Sequence, residues 1–102
     1  MKRKLSIKTI KIPKNPKSLN DFDLIELKWN DPQSDSSWLS YKQVEKLGMA
    51  SCESNGYVFS YDKDTIKLFN DINYNTDGSI GDYGSITIIP RKLVLSFRKI
   101  RD

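Results

Sequence analysis

The sequence predicts a mainly β domain: a small, partly open antiparallel barrel of five strands, with one short helix and a basic N-terminal arm. Three observations carry this prediction. Apolar residues alternate with a period of two in five runs of four to eight residues, which is the period of a strand. Helical spacing occurs in a single segment, SYKQVEKL, one or two turns long. At 102 residues and 37% hydrophobic positions, the chain can build one modest core and no second domain. We divide it into an arm, residues 1–20, and a barrel domain, residues 21–102.

Taken in order, the arm carries Lys2, Arg3, Lys4, Lys8, Lys11, Lys14 and Lys17 without an acid, and Pro13 and Pro16 interrupt it. It is expected to pack little, although the steps of two from Leu5 to Ile7 and from Ile10 to Ile12 leave open a strand added to a sheet edge. The first body strand is DLIELKW. It ends at Asn30-Asp31-Pro32, because the proline lacks a donor and biases Asp31 away from helix. QSDSS follows as a polar loop. In WLSYKQVEKLG, Ser40 caps a helix with Gln43 three residues later, Tyr41, Val44 and Leu47 share a face, and Gly48 stops the turn.

GYVFSYDKDTIKLFN reads as a hairpin with a two-residue turn at Lys63-Asp64. That turn sets Tyr61 opposite Ile66 and Phe59 opposite Leu68 on the buried face, with Val58 and Phe69 on the complementary one. NYNTDGSIGDYG is expected as a long glycine-bearing loop, SITIIP as a strand ending at Pro90, and RKLVLSFRKI as the last strand after a tight turn at Arg91-Lys92. Phe59, Leu68, Ile88 and Leu95 should then point inward. A sheet of three or four strands covered by the helix is the alternative architecture.

The strand order, with its short turn at Pro90 before a final strand, resembles SH3-like and Sm-like barrels. Residues 24 to 100 also resemble small proteins encoded by bacteriophages and prophages. The resemblance rests on Trp29-x-Asp31, Trp38, SYKQVEKL, CESNGYVF, DGSIGD and IPRKLVLSFRKI. It implies a fold and almost nothing about activity. Small phage proteins often bind host proteins or host signalling molecules, so a bacterial cytoplasm is the implied setting. The Lys-rich arm has no counterpart in that pattern.

Composition removes several chemistries. The chain has no histidine, so Ser-His-Asp and Cys-His nucleophile systems and histidine-containing zinc sites are excluded. The single cysteine, Cys52, forms no internal disulfide and cannot hold zinc alone. The expectation is therefore a non-enzyme without cofactor or metal. No run of about 18 apolar residues is present, so no membrane span is expected, and the basic start lacks the apolar block of a secretory signal. Net charge is +4, yet residues 21 to 90 carry twelve acids against five bases. Basic ends on an acidic body weaken the case for a whole-domain polyanion surface.

Two candidate sites follow. Trp29, Asp31, Asp35, Trp38 and Tyr41 flank the polar loop and form an aromatic and acidic edge for a partner protein or small ligand; the plain alternative is that both tryptophans are core. The arm cations Lys2, Arg3, Lys4, Lys8, Lys11, Lys14 and Lys17 form a nucleic-acid contact, or else a solubilising tail. The loop from Asn73 matches the start of a calcium loop, with Asn73, Asn75, Asp77 and Gly78, but its twelfth position is Gly84 where a glutamate is needed. Three functional readings result: a binding module that recognises and inhibits a host protein or small ligand, a nucleic-acid accessory protein, and a structural subunit of a virion or larger assembly. Open sheet edges also admit a homo-oligomer.

Overall fold

The computed structural model describes residues 7–32 and 36–100. Strands take 48% of the described residues against one six-residue helix, so the fold is mainly β. The elements are β1 (Leu24–Asp31), α1 (Tyr41–Lys46), β2 (Ala50–Tyr61), β3 (Thr65–Phe69), β4 (Asp71–Tyr74), β5 (Ile80–Gly84), β6 (Thr87–Pro90) and β7 (Val94–Lys99). Short 3-10 turns lie at Ile7–Thr9, Leu19–Asp21 and Arg91–Leu93. Five strands form an antiparallel sheet in the order β6-β3-β2-β1-β7, and β4 and β5 pair separately. Neither sheet closes on itself. No helix among the described residues is long and apolar enough to cross a membrane.

The large sheet is nevertheless strongly curled. β6 and β7 occupy opposite edges, and in a flat sheet four strand spacings would part them by about 19 Å. The chain runs from Pro90 to Val94 through a single 3-10 turn, which spans at most about 14 Å even when extended. Only a coiled sheet brings its edges that near. Arg91 fastens the crossing: its N–H donates to the Asp64 carbonyl at 2.8 Å and its guanidinium to the Asp62 carbonyl at 2.7 Å, with the guanidinium 5.9 Å from the centre of the Tyr61 ring.

The concave core follows from register. Ile25 and Leu27 of β1, Val58 of β2, Ile66 and Leu68 of β3 and Ile89 of β6 are buried together, with Trp29, Tyr61, Val94 and Phe97 packed around them. The two-residue turn at Lys63-Asp64 is present, and Tyr61 pairs with Ile66 as its length requires. Three of the four residues expected inside nevertheless lie outside. Leu68 is buried, but Phe59, Ile88 and Leu95 are 41%, 56% and 46% exposed.

Bulges explain two of these corrections. Val58 faces Leu68 and Ser60 faces Lys67, so Phe59 is an extra residue turned to the opposite side. Likewise Trp29 faces Val94 while Lys28 faces Ser96, which leaves Leu95 unpaired. Ile88 has the wrong phase, because it pairs with the outward Lys67 while its neighbour Ile89 pairs with the buried Ile66.

Two further expectations change. The glycine-bearing loop contains the β4–β5 hairpin, which gives seven strands among the described residues where five were expected. The arm, over residues 7–20, packs rather than projecting, and it does so without adding a strand. Ile10 is 4% exposed inside the main core, and Ile7 packs beside it. Asp23 anchors the segment by accepting the Lys11 N–H at 2.7 Å while its carboxylate meets Lys99 Nζ at 3.3 Å. Asp21 accepts the Lys17 N–H at 2.7 Å.

The outer face of the sheet divides in two. On its β7 side, cross-strand ion pairs join Glu26 to Arg98 and Lys28 to Glu53, a solvated surface. On its β3 side an aromatic cluster centres on Phe69, which is fully buried under Phe22, Tyr57, Phe59 and Tyr83, the rings lying 4.8 to 6.3 Å from it. Three of these four contacts with Phe69 are edge-to-face, a geometry favoured by the ring quadrupoles.

Candidate partner-binding surface

The β1–β2 hairpin ends where Asp31 pairs with Ala50, and the segment between them carries α1. Its start is fixed by a reciprocal cap. The Ser40 hydroxyl accepts the Gln43 N–H at 3.2 Å, and the Gln43 side-chain carbonyl accepts the Ser40 N–H at 2.9 Å. It stops at Leu47, whose backbone is extended, one residue before Gly48.

All six residues of α1 are exposed. Trp38, Tyr41, Val44 and Leu47 recur every three residues and, with Met49, each show more than half of their area to solvent. Helices this short are marginal in water and normally draw their stability from packing an apolar face. Here that face is displayed. At 100° per residue, Val44 and Tyr41 lie 60° apart, Glu45 lies 40° beyond Tyr41, and Lys42 and Lys46 point to the far side.

The five residues expected at this edge therefore separate. Trp38 and Tyr41 stand on the exposed surface. Trp29 lies on the core side of β1, where its indole N–H donates to Ser54 Oγ at 3.0 Å. Asp31 is half-buried at the closing pair of the hairpin. Asp35 lies outside the described residues. Val44, Leu47 and Met49 complete the surface; the shared face of Tyr41, Val44 and Leu47 is visible in the sequence, but only Tyr41 of the three is assigned there to a binding edge.

A second apolar feature opens on the outer face of the sheet. Phe59, Tyr83, Ile86, Ile88 and the stem of Lys67 line a groove of about 270 Å³. It exists because the bulge at Phe59 and the phase of Ile88 turn both side chains outward.

Of the arm cations, Lys2, Arg3 and Lys4 lie outside the described residues. Lys8, Lys11, Lys14 and Lys17 are exposed. Lys14 and Lys17 line an open cleft of about 560 Å³ against Asp77, Ser79, Ile80 and Tyr83. Asp77 keeps a negative charge in that cleft, because hydrogen bonds from the Ser79 hydroxyl and N–H hold its carboxyl below the usual Asp range. In the same way the N–H groups of Thr65 and Asp64 lower the Asp62 carboxyl at the β2–β3 turn.

The oxygens of the loop that begins like a calcium site hold the hairpin together instead. Asn73 Oδ1 accepts the Asp82 N–H at 2.7 Å, and Asn75 Nδ2 donates to Ser79 Oγ at 3.0 Å. Among the described residues, no group of three or more Cys, Asp or Glu side chains is placed to hold a metal ion.

Fold and surface together define a mainly β chain that displays a capped amphipathic helix at the end of its longest hairpin. Comparison with family models, curated proteins and solved structures finds no match for the chain.

Proposed function

We propose that this protein is a non-enzymatic binding module of phage or prophage type, which recognises and inhibits a host protein by laying the apolar face of α1 into a groove on it. The observation that carries this reading is the exposure of Trp38, Tyr41, Val44 and Leu47, spaced by three, on α1 and the residues just before and after it, with no residue of the helix buried. An amphipathic helix read through such anchors is a recurring mode of protein recognition, and aromatic anchors carry much of the energy at interfaces. The absence of histidine supports a role without bond chemistry. We read the body as an SH3-like barrel in an opened form, on the evidence of its curled five-stranded sheet and the 3-10 turn that links its two edges.

Nucleic-acid binding through the arm is the weaker reading. Its lysines are exposed, but Asp21 and Asp23 anchor the same segment and Asp77 faces Lys14 and Lys17 across the cleft. One capture experiment separates the two. The wild-type chain, a Trp38→Ala/Val44→Asp variant and a variant with Lys8, Lys11, Lys14 and Lys17 changed to Gln are used as baits in a bacterial lysate, and the captured protein is then titrated in pure form. The reading predicts a defined partner held by the wild type and the lysine variant, and lost by the helix variant. Capture that needs the lysines and vanishes on nuclease treatment contradicts it.

A further inference from the structure

We infer that the groove formed by Phe59, Tyr83, Ile86 and Ile88 is the docking site for α1 of a second copy of this chain, giving a reciprocal dimer in which each copy lends its helix to the other. The inference uses the helix face described above but requires no foreign partner. The first argument is that the chain displays two apolar surfaces of complementary form, a convex helix face and a concave groove. Large apolar side chains gathered into an exposed patch mark interaction sites far more often than the same residues scattered singly.

The second argument is reach. β1 and β2 pair without interruption from Leu24 and Tyr57 to Asp31 and Ala50, so the hairpin end stands about 24 Å from Tyr57, and Phe59 of the groove lies two residues further along β2. From Ala50 back to Val44, three extended and three helical residues cover only about 15 Å. The helix cannot fold back into the groove of its own chain. A copy of it reaches the groove only in trans.

The third argument is charge. Lys67 is the charged residue among those lining the groove, so docking groove against groove would bring two ammonium groups together. The helix is the better match. Glu45 flanks Tyr41 at the rim of the apolar face, while Lys42 and Lys46 lie on the opposite side. Helix into groove therefore sets Glu45 towards Lys67 and leaves the helix cations in water. Two such contacts related by a twofold axis close the assembly, whereas a single head-to-tail contact would grow into a filament.

Sedimentation of the purified chain alone, across a concentration series, tests this and stays interpretable even if no host partner exists. The wild type is expected to approach twice the 11.8 kDa chain mass. Val44→Asp removes the helix contact and Ile88→Asp the groove contact, and each variant alone should remain at the single-chain mass. Mixed together they should form a heavier species, because the first retains an intact groove and the second an intact helix. Far-UV circular dichroism matching the wild type shows that each variant folds, and Ile86→Asp replaces Ile88→Asp if the latter does not. A wild type that stays at single-chain mass, a Val44→Asp or Ile88→Asp protein that still dimerises, or a mixture no heavier than its components overturns the inference.

Discussion

Ile10 shows how much one side chain decides. Without it the arm would be a charged polar tail, but its burial in the same cluster as Ile25 and Leu68 makes residues 7–20 part of the fold. Replacing it with alanine should cost about 2–4 kcal/mol, the range for emptying a well-packed aliphatic site. Urea denaturation of Ile10→Ala against wild type measures this, and a loss below about 0.5 kcal/mol would mean that the arm does not pack. The step of two from Ile10 to Ile12 suggests an edge strand, so the sequence pattern does not reveal that Ile10 enters the core while Ile12 stays 41% exposed.

Asp62 supplies a second residue-scale prediction. Its carboxylate accepts the N–H groups of Asp64 and Thr65, so its folded pKa lies below the ordinary Asp value of about 3.9. A depressed folded pKa contributes stability above the unfolded value and loses it as pH falls through the folded value. Carboxyl-carbon NMR titration should place the Asp62 midpoint below that of an unstructured Asp. Asp62→Asn, which keeps an acceptor but cannot titrate, should flatten the acid-side fall in stability below about pH 4. A midpoint at or above the ordinary value contradicts the turn geometry.

Legibility at the scale of elements depended on what holds each element. Ser40 and Gln43 announce the cap of α1, and the two-residue turn with its Tyr61–Ile66 pair follows from alternation on both sides of Lys63-Asp64. The bulges at Phe59 and Leu95 were hidden, because an extra residue in one strand leaves the apolar pattern of that strand unchanged while inverting its facing. The candidate surface suffered most from this. Two of its groove residues, Phe59 and Ile88, are expected inside from alternation alone, and the shared face of Tyr41, Val44 and Leu47 does not by itself say whether it packs or is displayed.

The β4–β5 hairpin was hidden for another reason: side-chain amides hold it more than apolar alternation does. Gly81 belongs to that arrangement, since a Cβ there would come within 2.5 Å of Asn73 Oδ1, the acceptor of the Asp82 N–H. Gly81→Ala should displace Asn73 and lose that bond, at about 1 kcal/mol. Amide exchange should quicken across Asp71–Tyr74 and Ile80–Gly84 while β1, β2 and β3 keep their protection. Unchanged exchange at Asp82 would count against this account of the hairpin.

At the scale of the whole molecule, a carboxylate of the body fastens both ends. Asp23 accepts the Lys11 backbone N–H of the arm and pairs with the Lys99 ammonium of β7. The curl that brings β6 and β7 together closes the inner core and leaves the outer face with a charged half and an apolar half. The curled sheet and its two apolar clusters fold the protein, while the face of α1 stays exposed and is the surface we propose for contact.

Urea unfolding of Val44→Asp in dilute solution, where self-association is negligible, tests that claim most directly. An aspartate on an exposed contact face should leave the unfolding free energy within about 0.5 kcal/mol of wild type. A loss of about 2 kcal/mol or more, the cost of a charge forced into a packed interior, would show that α1 belongs to the core of its own chain.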